Sequence, residues 1–152
     1  GEKEGSMKRE ILKGNSLSPE QRDALAKKLG RVLAEEVWDH TVTGHRILIC
    51  PEAVQDKYKG LLYKPRSATE REGLEMGAGW IIAVGPLAGS GDDWYPGGLL
   101  CEHPSDLLGL HVVFKSHSGT TIKTSEEDTE FGGQFALIVM TTRDVLMIGE
   151  GL

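Results

Sequence analysis

The chain lacks the features that mark several large classes of protein. Its 152 residues include only two cysteines, Cys50 and Cys101, so we expect reduced thiols rather than a disulfide framework. No apolar run approaches the roughly 20 residues that cross a bilayer, and no signal peptide is visible. The net charge is −6 with basic residues scattered along the chain, whereas nucleic-acid binding requires a basic face. We therefore expect a cytoplasmic protein that binds neither membranes nor nucleic acid.

The motifs of common enzyme classes are also missing. There is no Gly-x-Ser-x-Gly, and residues 77–79 (GAG) lack the third glycine and the βαβ context of a dinucleotide-binding loop. Cys101 and His103 suggest a zinc site, but a closed site takes about four ligands. The only further candidates, most of them in or beside predicted strands, are Cys50, His111 and His117. We predict no enzyme activity, no metal and no cofactor.

The first third of the chain has helical character. Ser18, Pro19 and Gln21 form a helix start, with Ser18 as the N-cap and Gln21 completing a capping box. Apolar residues then recur on one face at Leu25, Leu29, Val32, Leu33 and Val37. This spacing predicts an amphipathic helix of about five turns that ends near Trp38. It must pack on its own domain or on a neighbouring subunit, and we favour a helix that covers its own core.

From residue 45 onward the chain is typical of a β domain. Short runs rich in β-branched residues alternate with turn residues, and most of the 20 glycines lie between the runs. Strands are predicted at residues 46–50, 80–84, 110–115, 120–123, 134–140 and 145–148. Six short strands without alternating helices indicate a mainly β fold, a small antiparallel barrel or sandwich.

Two long insertions interrupt the predicted strands, and long loops inside a compact domain are usually functional. The first, residues 51–79, carries Gly60, Leu61, Leu62 and Tyr63 between polar flanks; the second spans residues 86–108. A polar segment of this kind cannot offset its own chain entropy, so we expect it to be mobile and its apolar residues to bind a partner. The alternative is a further strand through residues 57–63.

Five segments, in order, resemble GroES-type co-chaperonins of the chaperonin-10 family. The second, residues 79–86 (GWIIAVGP), resembles the family's Gly-x-Val-x-Ala-Val-Gly-Pro, and Gly60-Leu61-Leu62-Tyr63 lies where the family's mobile loop carries Gly-Ile-Val-Leu. The others are 45–49 (HRILI), 108–115 (LGLHVVFK), 118–123 (SGTTIK) and 135–147 (FALIVMTTRDVLM). The chain departs from the family pattern in several places. The Pro-Leu that usually precedes the family's first strand is absent, and the N-terminal helix has no counterpart in the family. The second insertion and residues 126–133 are longer than the corresponding family segments. Such divergence is familiar in co-chaperonins carried by bacteriophages.

The resemblance implies a GroES-like antiparallel β-barrel with two long loops, preceded by the helix. It also implies a homo-heptamer that caps an ATP-dependent chaperonin of the GroEL type, in the bacterial host cytoplasm if a phage encodes the chain. The expected chaperonin-binding residues are Gly60, Leu61, Leu62 and Tyr63, and the roof loop carries Trp94 and Tyr95. Strand 47–50 of one subunit would pair with strand 145–148 of the next. The expected interface residues are Ile47, Leu48, Ile49, Val145, Leu146, Met147 and Ile148.

The resulting division of the chain has three parts. Residues 1–16 read as a tag remnant and flexible start, 17–40 as the helical extension and 41–152 as the barrel. Trp94 and Tyr95 either line the chamber ceiling or pack within their own loop. The competing functional hypothesis is a structural protein, a virion or scaffold component, that uses the same barrel without binding a chaperonin.

Overall fold

The protein is mainly β. The computed structural model describes residues 14–51, 76–90, 101–115, 118–127 and 134–152, and within them one antiparallel sheet is accompanied by one α-helix. The helix α1 spans Pro19–Leu29, and short 3-10 helices span Glu35–Asp39, Pro104–Leu107 and Thr142–Asp144. The strands are β1 Asn15–Ser16, β2 Arg46–Pro51, β3 Met76–Val84, β4 Leu110–Lys115, β5 Thr120–Glu127, β6 Gln134–Thr141 and β7 Val145–Gly151.

The strands lie in the order β5-β6-β2-β3-β4-β7, and β1 adds to β3. Every pairing is antiparallel. The predicted mainly β antiparallel fold is therefore confirmed. The predicted barrel is not seen, because no pairing among the described residues joins β5 to β7. In these parts of the chain the sheet keeps two edges, one on each outer strand.

All six predicted strands are present, with longer bounds for most of them. β3 begins at Met76 rather than residue 80, and β5 ends at Glu127 rather than residue 123. Residues 76–79 therefore belong to the sheet and not to the predicted 51–79 loop. Gly79 explains how β3 can lie so close to β2 there: a Cβ on this residue would stand 2.4 Å from the carbonyl oxygen of Cys50. The two-residue strand β1 has no sequence pattern that predicts it.

The helix begins where the sequence predicts and ends nine residues early. The Ser18 side chain accepts a hydrogen bond from the Gln21 N–H (3.2 Å), and the Gln21 side chain accepts one from the Ser18 N–H (3.0 Å). The prediction of a helix to Trp38 is wrong, since α1 ends at Leu29 and Gly30 adopts the left-handed conformation (φ 73°). Glycine takes this conformation without steric cost and commonly terminates helices.

The N-terminal segment nevertheless covers its own sheet, as expected. Leu17, Leu25, Leu33 and Val37 are buried in one cluster with residues of β2, β3 and β6, which are Leu48, Cys50, Trp80, Ile82, Ala83 and Leu137. We call this side of the sheet the helix face. Val32 is 78% exposed, so it does not belong to the predicted apolar stripe. Leu33 lies in the chain that follows α1 and Val37 in the 3-10 helix after it, and both side chains pack in the same cluster as the sheet residues.

Polar contacts also hold α1 in place. The Arg22 Nε donates to the Leu17 carbonyl (3.1 Å), and its guanidinium lies 4.4 Å from the centre of the Trp38 ring. The Lys28 amine lies 5.6 Å from the centre of the Trp80 ring. These contacts join α1 to the chain on either side of it and to β3, so the helix is part of the domain.

A second cluster occupies the opposite face of the sheet. Its buried members come from five strands and from the connection between β3 and β4: Ile47, Ile49, Ile81, Val84, Ala88, Leu107, Val112, Phe114, Met140 and Val145. In β2 the two faces alternate strictly, with Leu48 and Cys50 on the helix face and Ile47 and Ile49 on the opposite face. Burial on both faces explains why β2 reads as a continuous apolar run. Among the described residues, no helix is long and apolar enough to cross a membrane.

Candidate interaction surface at the sheet edges

The predicted loop sites cannot be compared with the structure. Gly60, Leu61, Leu62 and Tyr63, together with the alternative strand at 57–63, lie outside the described residues. Trp94 and Tyr95 of the second insertion lie outside them as well. The candidate surface must therefore be built from the predicted interface strands, which the structure does describe.

One half of the predicted interface is wrong. Residues 47–49 of β2 pair with β3 on one side, where Ile47 faces Val84, and with β6 on the other, where Ile47 faces Met140. A strand has only two edges, and both edges of this segment are used inside its own sheet. Ile47, Leu48 and Ile49 are also buried on both faces. Consequently they cannot pair with a strand of a neighbouring subunit.

The other half of the predicted interface lies at a sheet edge. β7 pairs with β4 on one side, and no described residue pairs with its other side. Val145 is buried, whereas Leu146, Met147 and Ile148 are 55%, 47% and 49% exposed. An edge strand presents unpaired N–H and C=O groups to any strand that approaches, and exposed apolar side chains strengthen such pairing. This edge has the composition of a binding surface.

The local register explains why three consecutive apolar residues of β7 are exposed. Val145 faces Phe114 and Met147 faces Val113, so Leu146 is an extra residue opposite β4. A bulge of this kind places two residues of one strand opposite one residue of its partner. Exposed apolar residues of β7 therefore lie on both faces of the sheet: Ile148 is opposite Val112 of the opposite-face cluster, and Met147 is opposite Val113.

At the far end of the sheet, β5 presents a different kind of edge. Its sequence is mostly polar, but Ile122 is 41% exposed. Ile122 also lines a cavity of about 300 Å³ between β5, β6 and the chain at residues 40–43. The apolar lining comes from Val42, Leu48, Ile122, Leu137 and Val139, and the polar lining from His40, Thr41, Thr43 and Arg46. Sequence reasoning did not find this surface, because it forms only when residues 40–43 pass over the helix face.

The potential zinc ligands are not brought together. Within the described ranges no group of three or more histidine, cysteine and acidic side chains could hold a metal, and His117 lies outside those ranges. Cys50 is buried in the helix-face cluster. Cys101 lies near Ala88, whose carbonyl accepts from its thiol at 3.7 Å. Burial, with the nearby Asp106 carboxylate, raises the pKa of the Cys101 thiol, which disfavours the thiolate that a metal or an electrophile requires.

Comparison with known proteins found no match: no family model matches the chain, and the searches of curated proteins and of solved structures found none either.

Proposed function

We propose that this protein is a co-chaperonin, a ring-shaped lid that binds the apical domains of a large ATP-dependent chaperonin and closes its folding chamber. The support comes from the arrangement of the five segments that resemble the family. They fall in β2, β3, β4, β5 and β6–β7 of one antiparallel sheet. The connections from β2 to β3 and from β3 to β4 contain the two insertions, in the order of the family's mobile loop and roof.

The exposed edge of β7 supports the assembly part of the proposal. A ring joins each subunit to the next through strand edges that would otherwise be open, and closing the ring removes them. Leu146, Met147 and Ile148 are suited to such a junction because each is about half exposed on an edge strand. In this proposal seven copies of the sheet form the ring.

Simple energetics suit a lid that must also be released. Burying Leu61, Leu62 and Tyr63 contributes roughly 1.5–3 kcal/mol per side chain. Ordering about eight loop residues costs roughly 1–2 kcal/mol per residue. The total gain is about 5–9 kcal/mol and the total cost about 8–16 kcal/mol, so a single loop binds weakly at best, whereas several loops on one ring bind together with greater avidity. Each subunit alone is expected to bind weakly.

The direct test of the binding role is substitution of Leu62 by serine. Leu62→Ser should leave the ring assembled, because the interface lies elsewhere, and should abolish ATP-dependent co-elution with a GroEL-type chaperonin. Val32→Ser provides a matched control, since Val32 is 78% exposed and far from the loop in sequence. Co-elution of the Leu62→Ser ring at the level of the wild type would refute the proposed binding role.

The exposed β7 edge also suits a structural protein that assembles without a chaperonin. Light scattering combined with limited proteolysis separates the two functions. A particle of about 115 kDa, seven copies of the 16.5 kDa chain, with cleavage confined to about residues 56–72, is the result expected of a lid. A monomer, or a ring whose residues 56–72 resist proteolysis, would favour the structural role.

A further inference from the structure

The two edges of the sheet differ in a way that makes each a partner for the other. The β7 edge presents exposed apolar side chains, and the β5 edge lies beside an apolar cavity. We propose that β7 of one copy pairs with β5 of a second copy, with Met147 covering Ile122 and the mouth of the cavity. This inference concerns the subunit junction of the proposed ring, and it replaces the junction through β2 that the sequence predicted.

Strand direction is compatible with this pairing. The order β5-β6-β2-β3-β4-β7 contains six strands, and each is antiparallel to its neighbour. β5 and β7 therefore run in opposite directions. When a second copy is set beside the first in the same orientation, its β7 lies antiparallel to β5. The result is one continuous antiparallel sheet across the two copies.

The side chains also fall on compatible faces. Ile122 of β5 faces Leu137 of β6, and Leu137 belongs to the helix-face cluster. On β4, Val112 and Phe114 belong to the opposite-face cluster, so Val113 between them is directed to the helix face. Met147 opposes Val113 and shares that face. In a continuous sheet Met147 would therefore lie on the same side as Ile122 and the cavity.

Charge at the two edges is mixed. His40 and Arg46 line the cavity, and Lys123 lies beside Ile122 on β5 and lines a smaller adjoining cavity of about 80 Å³. That cavity also contains Glu36, and β5 ends in Glu126 and Glu127. Before β7 stand Arg143 and Asp144, and Glu150 lies near its end. The proposed pairing therefore depends on the apolar contact and not on net charge.

A junction of this type is heterologous, because the donor edge and the acceptor edge are different surfaces. Such a contact repeats from copy to copy and produces either a closed ring or a filament, whereas a β7–β7 contact would produce a two-fold dimer. The proposed junction therefore predicts which residues of two copies can be cross-linked. These cross-links are expected whether or not the protein binds a chaperonin.

Disulfide trapping between single-cysteine variants tests the pairing. In a Cys101→Ser background, with buried Cys50 retained, Met147→Cys should be mixed with each of Thr120→Cys, Ile122→Cys and Thr124→Cys. These three positions share one face of β5, so the series allows for the unknown register. At least one mixture should yield a disulfide-linked dimer at tenfold or more the level given by either variant alone. A protein carrying both cysteines of that pair should give a ladder of linked copies.

The matched control mixes Met147→Cys with Val32→Cys, which is 78% exposed against 41% for Ile122 and should not cross-link. Strong cross-linking of Met147→Cys with itself would overturn the proposal in favour of a two-fold β7 junction. Failure of all three mixtures would overturn it in favour of another occupant of the β5 edge, either a different protein or another segment of this chain.

A second pair of variants measures the same contact without cysteine chemistry. Ile122→Asp and Met147→Asp should each shift the protein from the oligomer to the 16.5 kDa monomer while the circular dichroism of the fold is retained. An unchanged oligomer would contradict the proposal. Leu62→Ser should leave both the cross-links and the oligomer intact. If the cross-links form and the protein does not bind a chaperonin, the β7–β5 junction is supported and the proposed lid function is refuted.

Discussion

Leu25→Ala is the substitution that best tests whether the N-terminal segment is part of the domain. Leu25 is 1% exposed and is the one buried residue of α1, in contact with the helix-face cluster of the sheet. Removing a buried leucine side chain down to alanine costs about 2–5 kcal/mol, part from lost transfer free energy and part from the cavity left behind. Leu25 already lines a cavity of about 240 Å³. The new space would therefore merge with an existing opening that water can enter, and we expect the lower half of the range, about 2–3 kcal/mol.

The assay is equilibrium unfolding in urea, followed by circular dichroism and tryptophan fluorescence, because Trp38 and Trp80 both contact side chains of α1. Val32→Ala is the control: Val32 lies just after α1 and is 78% exposed, so its replacement should change the free energy of unfolding by less than about 0.5 kcal/mol. If Leu25→Ala behaves like Val32→Ala, α1 is a detachable appendage and the description of the helix-face core is wrong.

Three further predictions follow from local geometry. Gly79→Ala should destabilise the fold by about 1–3 kcal/mol in the same urea assay, because the added Cβ meets the Cys50 carbonyl oxygen at 2.4 Å; an unchanged midpoint would show that β2 and β3 can separate there. Ser18→Ala should cost about 1 kcal/mol through loss of the capping box, and a cost near zero would mean that the cap is not formed in solution. The Cys101 thiol should react with a disulfide reagent more slowly than a model thiol at neutral pH, with its rate rising at higher pH than the model's, because burial and Asp106 raise its pKa; a normal pH profile would contradict this.

Short-range signals predicted the strands and the start of the helix well. The capping box at Ser18 and the apolar runs of β2, β4 and β6 are local patterns whose structural consequences depend little on the rest of the chain. The end of the helix was missed because an apolar spacing continues past Gly30, although the glycine ends the helix. Beyond Gly30 the apolar spacing predicted neither the conformation nor every buried position, because Leu33 and Val37 are buried without helical continuity and Val32 is 78% exposed.

The candidate surface depended on information that local patterns do not contain. The apolar runs of β2 and β7 look equally suitable for an interface, but only the sheet order shows that residues 47–49 are paired on both sides and that β7 lies at an edge. The cavity beside Ile122 forms between residues 40–43 and the strands β5 and β6, which are far from those residues in sequence. Edge position and cavities are properties of tertiary arrangement, so they appear only once the fold is known.

A refolding assay decides whether this protein acts as a chaperonin lid. A bacterial GroEL-type chaperonin is supplied with ATP and a substrate whose refolding requires a lid, and its own co-chaperonin is replaced by this protein. The wild-type protein should restore the yield of active substrate, and Leu62→Ser should not. A yield equal to that of the chaperonin without any lid, from an assembled wild-type ring that binds no chaperonin, would contradict the proposed lid function.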